Sequence, residues 1–286
     1  MKGLPVTDHT PLLEDFSLEM TGKDIASLRE AAPAIPADTR INVTFLGNED
    51  LQMRVAAAKA VKELGFVPVP HISARRLTSQ GELEEFLAAL QGVGASEHVF
   101  VVGGDPEVPA GPYPDSLTVI RSGILQSYGV KEVSIAGYPE GHPDIADDVL
   151  WSHLGDKVSA LREQGLGHVV LTQFAFDADA VSAWIDEVRS RGVDSEIRIG
   201  TPGPAGIKRL LGYARRFGVG TSASIAKKYG FSLTNLLGTA GPDRFVTELA
   251  DLRANVSDPS ETRIHFYTFG GLLATAEWAK NFRDGK

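Results

Sequence analysis

Short apolar runs alternate with longer stretches of helical spacing along this chain, and the alternation repeats eight times. The apolar runs are rich in Val, Ile and Phe and are bounded by Gly, Pro or Asp, a pattern that is typical of β-strands. Several of them are apolar at consecutive positions, as expected for strands that are covered on both faces. The predicted strands are residues 14–20, 40–46, 67–73, 98–104, 132–138, 168–174, 197–203 and 263–269.

Helical patterns separate these strands. Residues 50–65 carry an apolar face and stop at a glycine, while residues 177–192 begin with acidic side chains and end with Arg and Gly, as helices favour. Further helices are predicted at residues 78–92 and 205–218. Eight strand–helix units in 286 residues predict an α/β fold of the (β/α)8 TIM-barrel class, whose usual length is about 250 residues.

One long excursion, residues 219–262, separates the seventh helix from the eighth strand. It contains two further helical patterns, at residues 227–238 and 242–255. We therefore predict a single barrel domain over residues 1–286 with a helical insertion at 219–262. A doubly wound sheet needs fewer strands and usually a phosphate-binding glycine loop near the start, and the sequence has no such loop.

Charge and composition exclude several classes of function. The formal net charge is -9, which argues against nucleic acid as the main partner, because phosphate binding needs a basic surface. The absence of cysteine removes disulfides, Cys-ligated metal centres and thiol catalysis. No run approaches the roughly 18 apolar residues needed to span a bilayer, and the N-terminus has no apolar signal region. The sequence therefore predicts a cytoplasmic protein without a membrane partner.

The carboxyl ends of the predicted strands carry polar side chains. Ligands of a (β/α)8 barrel bind at this end, so these positions form the candidate site. They comprise Glu19, Thr44, His71, Gly103, Gly104, Asp105, Tyr138, Gln173, Thr201 and the run from His265 to Thr268.

Taken alone, these residues allow structural as well as functional interpretations. Glu19 is either paired with a basic side chain or raised in pKa by burial, as a proton donor would be. Asp105 could simply stabilise a turn, and His71 could be a hydrogen-bonded, half-buried histidine. Gln173 could satisfy barrel backbone groups or hold an amide of a ligand.

A metal-dependent barrel lyase is the competing enzymatic interpretation. Glu140 and His142 lie two residues apart after the fifth strand and could bind a divalent metal together with Asp105. Such an enzyme would be inhibited by chelators. The sequence has no HExxH, Walker A, GxGxxG or GxSxG motif in a suitable context, and we predict no metal site.

Several strand ends together resemble those of methylenetetrahydrofolate reductases, flavin barrels that reduce the one-carbon unit on folate. The similar stretches follow the family's order over nearly the whole chain: SLEM (17–20), NVTF (42–45), PHIS (70–73), GGDP (103–106), AGYPEGHP (136–143), DKVSA (156–160), LTQFAFD (171–177) and HFYTF (265–269). The resemblance implies reduction of 5,10-methylenetetrahydrofolate to 5-methyltetrahydrofolate, or the reverse, with FAD as cofactor and NADH or NADPH as co-substrate. It places the chain in one-carbon metabolism and methionine biosynthesis and is compatible with a homo-oligomer.

The resemblance also implies roles for individual residues. Glu19 resembles the general acid that protonates folate N10, and Asp105 resembles the carboxylate that lies near both flavin and folate. The implied FAD-binding positions are Thr44, His71, Gly104, Asp105, Tyr138, His142 and Lys157. The implied substrate-binding positions are Gln173, Arg209 and Tyr213.

Three departures from the family pattern keep other interpretations open. Gly103 stands where the family has an arginine that contacts flavin, Gly270-Gly271 replaces an Asn-Arg pair, and Arg209 replaces a folate-contacting glutamine. A flavin-independent enzyme would pass hydride directly from the nicotinamide to folate. A folate-binding barrel without catalysis is the non-enzymatic alternative.

Overall fold

The computed structural model describes residues 10–216, 238–254, 256 and 261–285. Its strands are β1 (Ser17–Met20), β2 (Arg40–Val43), β3 (Val67–Ser73), β4 (His98–Val102), β5 (Glu132–Gly137), β6 (Gly167–Thr172), β7 (Glu196–Pro202), β8 (Ala205–Gly206), β9 (Thr239–Ala240) and β10 (Thr262–Tyr267). Eight of them close into a parallel barrel in the order β1-β10-β7-β6-β5-β4-β3-β2, and β8 pairs with β9 in a small antiparallel ribbon. The predicted (β/α)8 barrel is confirmed, and each barrel strand overlaps a predicted run.

Helices surround the barrel. They are α1 (Thr10–Leu13), α2 (Ile25–Ala31), α3 (Leu51–Glu63), α4 (Gln80–Gly92), α5 (Ser116–Arg121), α6 (Asp147–Glu163), α7 (Ala178–Ser190), α8 (Ile207–Arg216), α9 (Asp243–Arg253) and α10 (Leu272–Arg283). Side-chain caps fix several starts: Asp50 accepts from the backbone N–H of Met53 at 2.8 Å, and Ser79 accepts from that of Glu82 at 3.1 Å. No helix in the described part of the chain is long and apolar enough to cross a membrane.

The predicted insertion is described only in part. The helix predicted at residues 242–255 is present as α9. The helix predicted at 227–238 lies outside the described residues, apart from its last position. The assignment of the whole chain to one domain stays a prediction.

Side chains along each barrel strand point alternately outward and inward. The outward set packs against the helices, and the inward set fills the barrel interior. Leu18 and Met20 of β1 are buried in the large core that the strands form with the helices. A small apolar cluster of Val69, Phe100 and Leu171 fills the middle of the barrel. Polar side chains occupy the interior at both ends, and those at the C-terminal end of the barrel, where the strands finish, form the candidate site.

Candidate functional site

Glu19 lies near the end of β1 and faces the barrel interior. Its Oε2 atom is 3.8 Å from Nε2 of His265 and 4.0 Å from Nε2 of His71, and its side chain is only 18% exposed. Burial raises the pKa of Glu19 to about 7, although the neighbouring His71 acts in the opposite direction. A carboxyl group with this pKa can both hold and release a proton near neutral pH. Of the two interpretations of Glu19, the structure shows no lysine or arginine paired with it among the described residues, and its role as a proton donor stays a prediction.

The two histidines beside Glu19 are neutral at pH 7. Burial lowers the pKa of His71 to about 4, although Glu19 counteracts this effect. Burial and the nearby Arg198 lower the pKa of His265 to about 3. The Nε2 atom of each ring is buried without a hydrogen-bond partner among the described residues. Two uncharged imidazoles therefore border the carboxyl group.

Tyr267 of β10 is a further neighbour of Glu19. Its hydroxyl donates to the carbonyl oxygen of Thr172 at 3.1 Å. Burial and then the charge of Glu19 raise the pKa of Tyr267 well above its usual value, so the phenol stays protonated. Gly200 makes room for the ring, because a Cβ atom at this position would lie 2.7 Å from Cε2 of Tyr267.

An aromatic wall extends outward from Tyr267. Phe174 meets Tyr267 and Phe269 edge to face, at ring-centre distances of 5.3 and 5.4 Å. Tyr213 stacks on Phe269 at 3.9 Å, and Arg209 donates to the Phe269 carbonyl oxygen at 2.7 Å. Arg209 and Tyr213 are predicted substrate-binding residues and lie one turn apart on α8. Both contact Phe269.

Gln173 follows β6 at the base of this wall. Its backbone N–H donates to the Gly137 carbonyl at 2.8 Å, which continues the ladder between β5 and β6. Its side-chain oxygen accepts from the backbone N–H of Phe174 at 3.1 Å. Of its two interpretations, the structure shows the local backbone contact, and its contact with a ligand stays a prediction.

The loops after β2, β3 and β4 form the opposite side of the C-terminal end of the barrel. Asp105 is 66% exposed and lies 2.5 Å from Arg76. The hydroxyl oxygens of Thr44 and Ser73 are buried without a hydrogen-bond partner among the described residues. Gly104 has φ +94° and abuts the Ser73 hydroxyl, so its position excludes a side chain. The structure therefore shows Asp105 engaged by Arg76 in an exposed loop, and its proximity to flavin and folate stays a prediction.

Tyr138 and His142 lie together in the loop after β5. Their rings meet edge to face at 5.4 Å, and Nδ1 of His142 accepts from the backbone N–H of Asp144 at 3.1 Å. Burial raises the pKa of Tyr138. Tyr138 also borders a cavity of about 510 Å³ between α6 and α7, which Trp151 and Trp184 line.

Glu140 ties the loop after β5 to the loop after β6. Its Oε1 accepts the backbone N–H groups of Phe176 at 2.8 Å and Asp177 at 3.1 Å. Within the described residues, no group of three or more His, Cys, Asp or Glu side chains is placed to hold a metal ion. The ligand set of the metal-dependent alternative, which combined Glu140 with Asp105 and His142, is therefore not assembled.

Lys157 is the predicted cofactor-binding residue that lies apart from the strand ends. It belongs to α6 and is 6% exposed. The charge of Asp115, at the start of α5, favours its protonated form. Burial lowers the pKa of Lys157 to about 8, against the effect of Asp115. The structure thus shows a buried amine on α6, and its contact with a cofactor stays a prediction.

His265 and Tyr267 were among the predicted strand-end positions but received no individual role, and Phe269 was not predicted as a site residue. The alternation of β10 could have singled out the first two, because every second residue of a strand faces the same side. Ser17 pairs with His265 in the register of β1 and β10, which places the odd-numbered positions of both strands inside the barrel. Phe269 follows the strand, and its stacking on Tyr213 depends on where α8 packs.

The family model for methylenetetrahydrofolate reductase matches residues 28–217. Methylenetetrahydrofolate reductase 1 of Schizosaccharomyces pombe is 30% identical over 142 residues, 48% of this chain and 22% of that protein. The 5,10-methylenetetrahydrofolate reductase of Salmonella typhimurium is 27% identical over 160 residues, 55% of this chain and 51% of that protein. That of Pectobacterium carotovorum is 26% identical over 177 residues, 61% and 57% of the two chains. The chain thus spans between about a fifth and somewhat over half of the length of these relatives.

A solved structure with a similar fold is an uncharacterized protein from Clostridium thermocellum that binds two copies of 5-methyl-5,6,7,8-tetrahydrofolic acid. The TM-score is 0.58 at 13% sequence identity, and the match covers 98% of this chain and 100% of that chain. At this identity the likeness concerns the barrel fold alone. The family model, in contrast, covers well over half of the sequence, and the chain belongs to the methylenetetrahydrofolate reductase family.

Proposed function

We propose that this protein interconverts 5,10-methylenetetrahydrofolate and 5-methyltetrahydrofolate, with Glu19 as the acid that protonates the folate. The observation that carries the proposal is the buried Glu19 carboxyl group at the C-terminal end of the barrel, whose pKa is raised to about 7. Membership of the family supports folate as the substrate class. The tetrahydrofolate bound by the structurally similar barrel from C. thermocellum supports it as well.

The proposed chemistry begins with proton transfer from Glu19 to N10 of the folate. The bond between N10 and the methylene carbon then breaks, its electron pair stays on N10, and the methylene carbon becomes an iminium on N5. Hydride addition to that carbon gives the methyl group. The carboxylate left on Glu19 stabilises the cation, and the neutral His71 and His265 add no positive charge beside it.

FAD as the hydride carrier remains a proposal. Two features of the described residues suit its flat ring. The hydroxyls of Thr44 and Ser73 have no hydrogen-bond partner among these residues, and a Cβ atom at Gly103 would meet none of their atoms within 4 Å. The cations close to these loops do not suit its diphosphate. Arg76 is paired with Asp105, and Arg75 donates to backbone carbonyl oxygens, that of Pro106 at 2.6 Å among them.

Because the nearby arginines are already engaged and do not suit the FAD diphosphate, a second candidate is favoured. It is direct hydride transfer from a nicotinamide to the folate. Lys157, the lysine among the predicted cofactor-binding residues, is buried on α6. Both candidates use Glu19 in the same way, so the proton step does not depend on the source of hydride. NADH or NADPH is the reductant in either case.

The test is product formation from 5,10-methylenetetrahydrofolate and NADH or NADPH, with and without FAD, by wild type and Glu19→Gln. An absorbance scan of the purified protein, before and after FAD is added, accompanies it. Flavin bands that bleach with the nicotinamide and return with the folate identify the FAD route. Product from a colourless protein identifies direct transfer. Folate binding without product in either condition supports the non-catalytic barrel, and absence of both contradicts the proposal.

A further inference from the structure

We propose that His265 is a positioning residue that presents its Nε2–H group to Glu19 and stabilises the carboxylate that remains after proton transfer. The inference rests on the proposed function of Glu19. It assigns a role to a residue that lies beside the acid. Three observations carry it: the contacts that fix the ring of His265, the direction of its free nitrogen, and the absence of an equivalent fixation at His71.

The ring of His265 is fixed on its Nδ1 side. His265 is 0% exposed, and its Nδ1 atom lies 2.9 Å from Oγ of Ser17 and 3.4 Å from Nδ2 of Asn42. Because the Asn42 atom placed toward the ring is the amide nitrogen, which can only donate, we infer that Nδ1 is the accepting nitrogen. The neutral imidazole then carries its single proton on Nε2. Strands β1 and β2 thereby select the tautomer of a residue on β10.

The protonated nitrogen faces the carboxyl group of Glu19. Nε2 lies 3.8 Å from Oε2 and has no hydrogen-bond partner among the described residues. A buried donor without a partner is unfavourable, and the carboxylate can relieve this cost. The separation exceeds that of a hydrogen bond, as catalytic contacts often do before the substrate is bound.

Other titratable and charged groups face the same pair. His71 on β3 lies 4.0 Å from the same Glu19 oxygen, and Tyr267 lies close enough for the charge of Glu19 to raise its pKa. Arg198 on β7 acts on His265 and is itself paired with Asp15. Within the described chain, no contact like that from Ser17 fixes Nδ1 of His71. Of the two imidazoles, His265 is therefore the one whose donor is oriented before substrate binds.

The tautomer is tested first, in the unmodified protein. Long-range ¹H–¹⁵N NMR of the histidine rings at pH 7 is expected to show the proton of His265 on Nε2. A proton on Nδ1 would overturn the inference. This measurement needs no substitution, so it decides the question even where a variant at His265 fails to fold.

The second test follows the Glu19 carboxyl carbon by ¹³C NMR titration in wild type, His265→Asn and His265→Gln, with Glu19→Gln to assign the resonance. The Asn amide reaches the position of Nδ1 and leaves no donor toward Glu19, whereas the Gln amide reaches that of Nε2. Loss of the N–H donor that faces the carboxylate is expected to raise the titration midpoint by about one pH unit in His265→Asn, because the charged form loses its stabilisation. The His265→Gln variant should restore it.

Equal midpoints in the wild type and both variants would show a merely structural role and overturn the inference. The titration requires no turnover, so its outcome is separate from that of the proposed function. A shifted midpoint in a protein that does not convert methylenetetrahydrofolate refutes the function but not the role of His265. Turnover with an unshifted midpoint refutes only the role of His265.

Discussion

The two ends of the barrel use similar polar side chains in opposite ways. At the N-terminal end, Glu132 is bonded to Arg40 and lies 3.2 Å from Nδ1 of His98. At the C-terminal end, Glu19 lies between two histidine nitrogens that have no hydrogen-bond partner in the described part of the chain. One end thus has its carboxylate bonded to an arginine, whereas the carboxyl group at the other end has no lysine or arginine partner among the described residues.

The comparison of the two glutamates shows that environment decides their chemistry. Burial acts to raise the pKa of both carboxyl groups. At Glu132 the hydrogen bonds from His98 and Arg40 outweigh burial, and its pKa is lowered to about 2. At Glu19 nothing comparable opposes burial, and its pKa is raised to about 7. Glu132 is therefore a permanent carboxylate that stabilises the barrel, and Glu19 is suited to exchange protons.

The largest expected effect is on catalysis by Glu19→Gln. This variant cannot supply the proton, and kcat/KM should fall by about 10²–10⁴-fold, the range for general acids. Binding of 5-methyltetrahydrofolate, measured by calorimetry, should change little. Glu132→Gln is the matched control at the N-terminal end. The molecules of this variant that are folded should have a kcat/KM close to that of the wild type. Equal losses in both variants would contradict the distinction between the ends.

The pH dependence of kcat/KM further tests the difference between Glu19 and Glu132. The acid form of Glu19 is the active one, and its pKa is about 7. The rate should therefore be level below this value and fall about tenfold per pH unit above it. Steady-state rates between pH 5.5 and pH 9 would check the profile. A rate that rises through this range would show that Glu19 is not the acid.

A stability effect is expected at the N-terminal end. Glu132→Gln should lower the free energy of unfolding at pH 7 by about 2 kcal/mol, between the values for exposed and buried ion pairs. Since the folded pKa of Glu132 is depressed from 4.5 to about 2, its contribution is present above 4.5 and is lost as the pH falls toward 2. Urea unfolding at pH 7 and pH 3 should show that the difference in unfolding free energy between variant and wild type is smaller at pH 3. A constant gap would contradict this account.

Two glycines at the C-terminal end offer a matched pair. In Gly200→Ala, the new methyl group would lie 2.5 Å from the Thr172 carbonyl oxygen and 2.7 Å from the Tyr267 ring. Overpacking of this kind costs about 1–3 kcal/mol and should displace Tyr267, with a loss of activity. Gly103→Ala meets nothing within 4 Å and should be neutral in stability. Thermal unfolding and kcat/KM should be measured for both variants. Equal stability and equal activity of the two variants would argue against a fixed position of Tyr267.

The smallest stability effect is expected at Asp105. Its partner Arg76 holds it in an exposed loop, and exposed pairs contribute about 0–1 kcal/mol. Asp105→Asn should therefore change the unfolding free energy by less than about 1 kcal/mol. If Asp105 acts on the substrate as the family resemblance implies, kcat/KM should nevertheless fall. An unchanged kcat/KM would limit Asp105 to its pairing with Arg76.

The barrel and the position of Glu19 could be predicted from the sequence because both follow from local pattern. Apolar runs of strand length mark the strands, and the end of a strand marks the end of the barrel at which a side chain lies. Pairings between loops could not be predicted in this way. Arg76 with Asp105, and Glu140 with the backbone of Phe176, depend on how separate strand–helix units pack against each other.

The surroundings of helical residues were the other limit of prediction. Lys157 was assigned to the cofactor by its motif and stays a prediction there, whereas its burial on α6 and the effect of the Asp115 charge on its pKa could not be predicted from the sequence. Arg209 and Tyr213 were placed correctly on a helix, while their shared contact with Phe269 requires the three-dimensional course of the chain after β10. Sequence identifies which residues can do chemistry, and packing decides which of them meet.

A crystal structure with bound 5-methyltetrahydrofolate would test the central claim most directly. The account predicts the folate at the C-terminal end of the barrel, with N10 within about 3.2 Å of the Glu19 carboxyl group, the reach of a proton donor. Folate bound elsewhere, for example in the cavity between α6 and α7, would contradict it. So would a barrel that stays empty at a saturating concentration of the ligand.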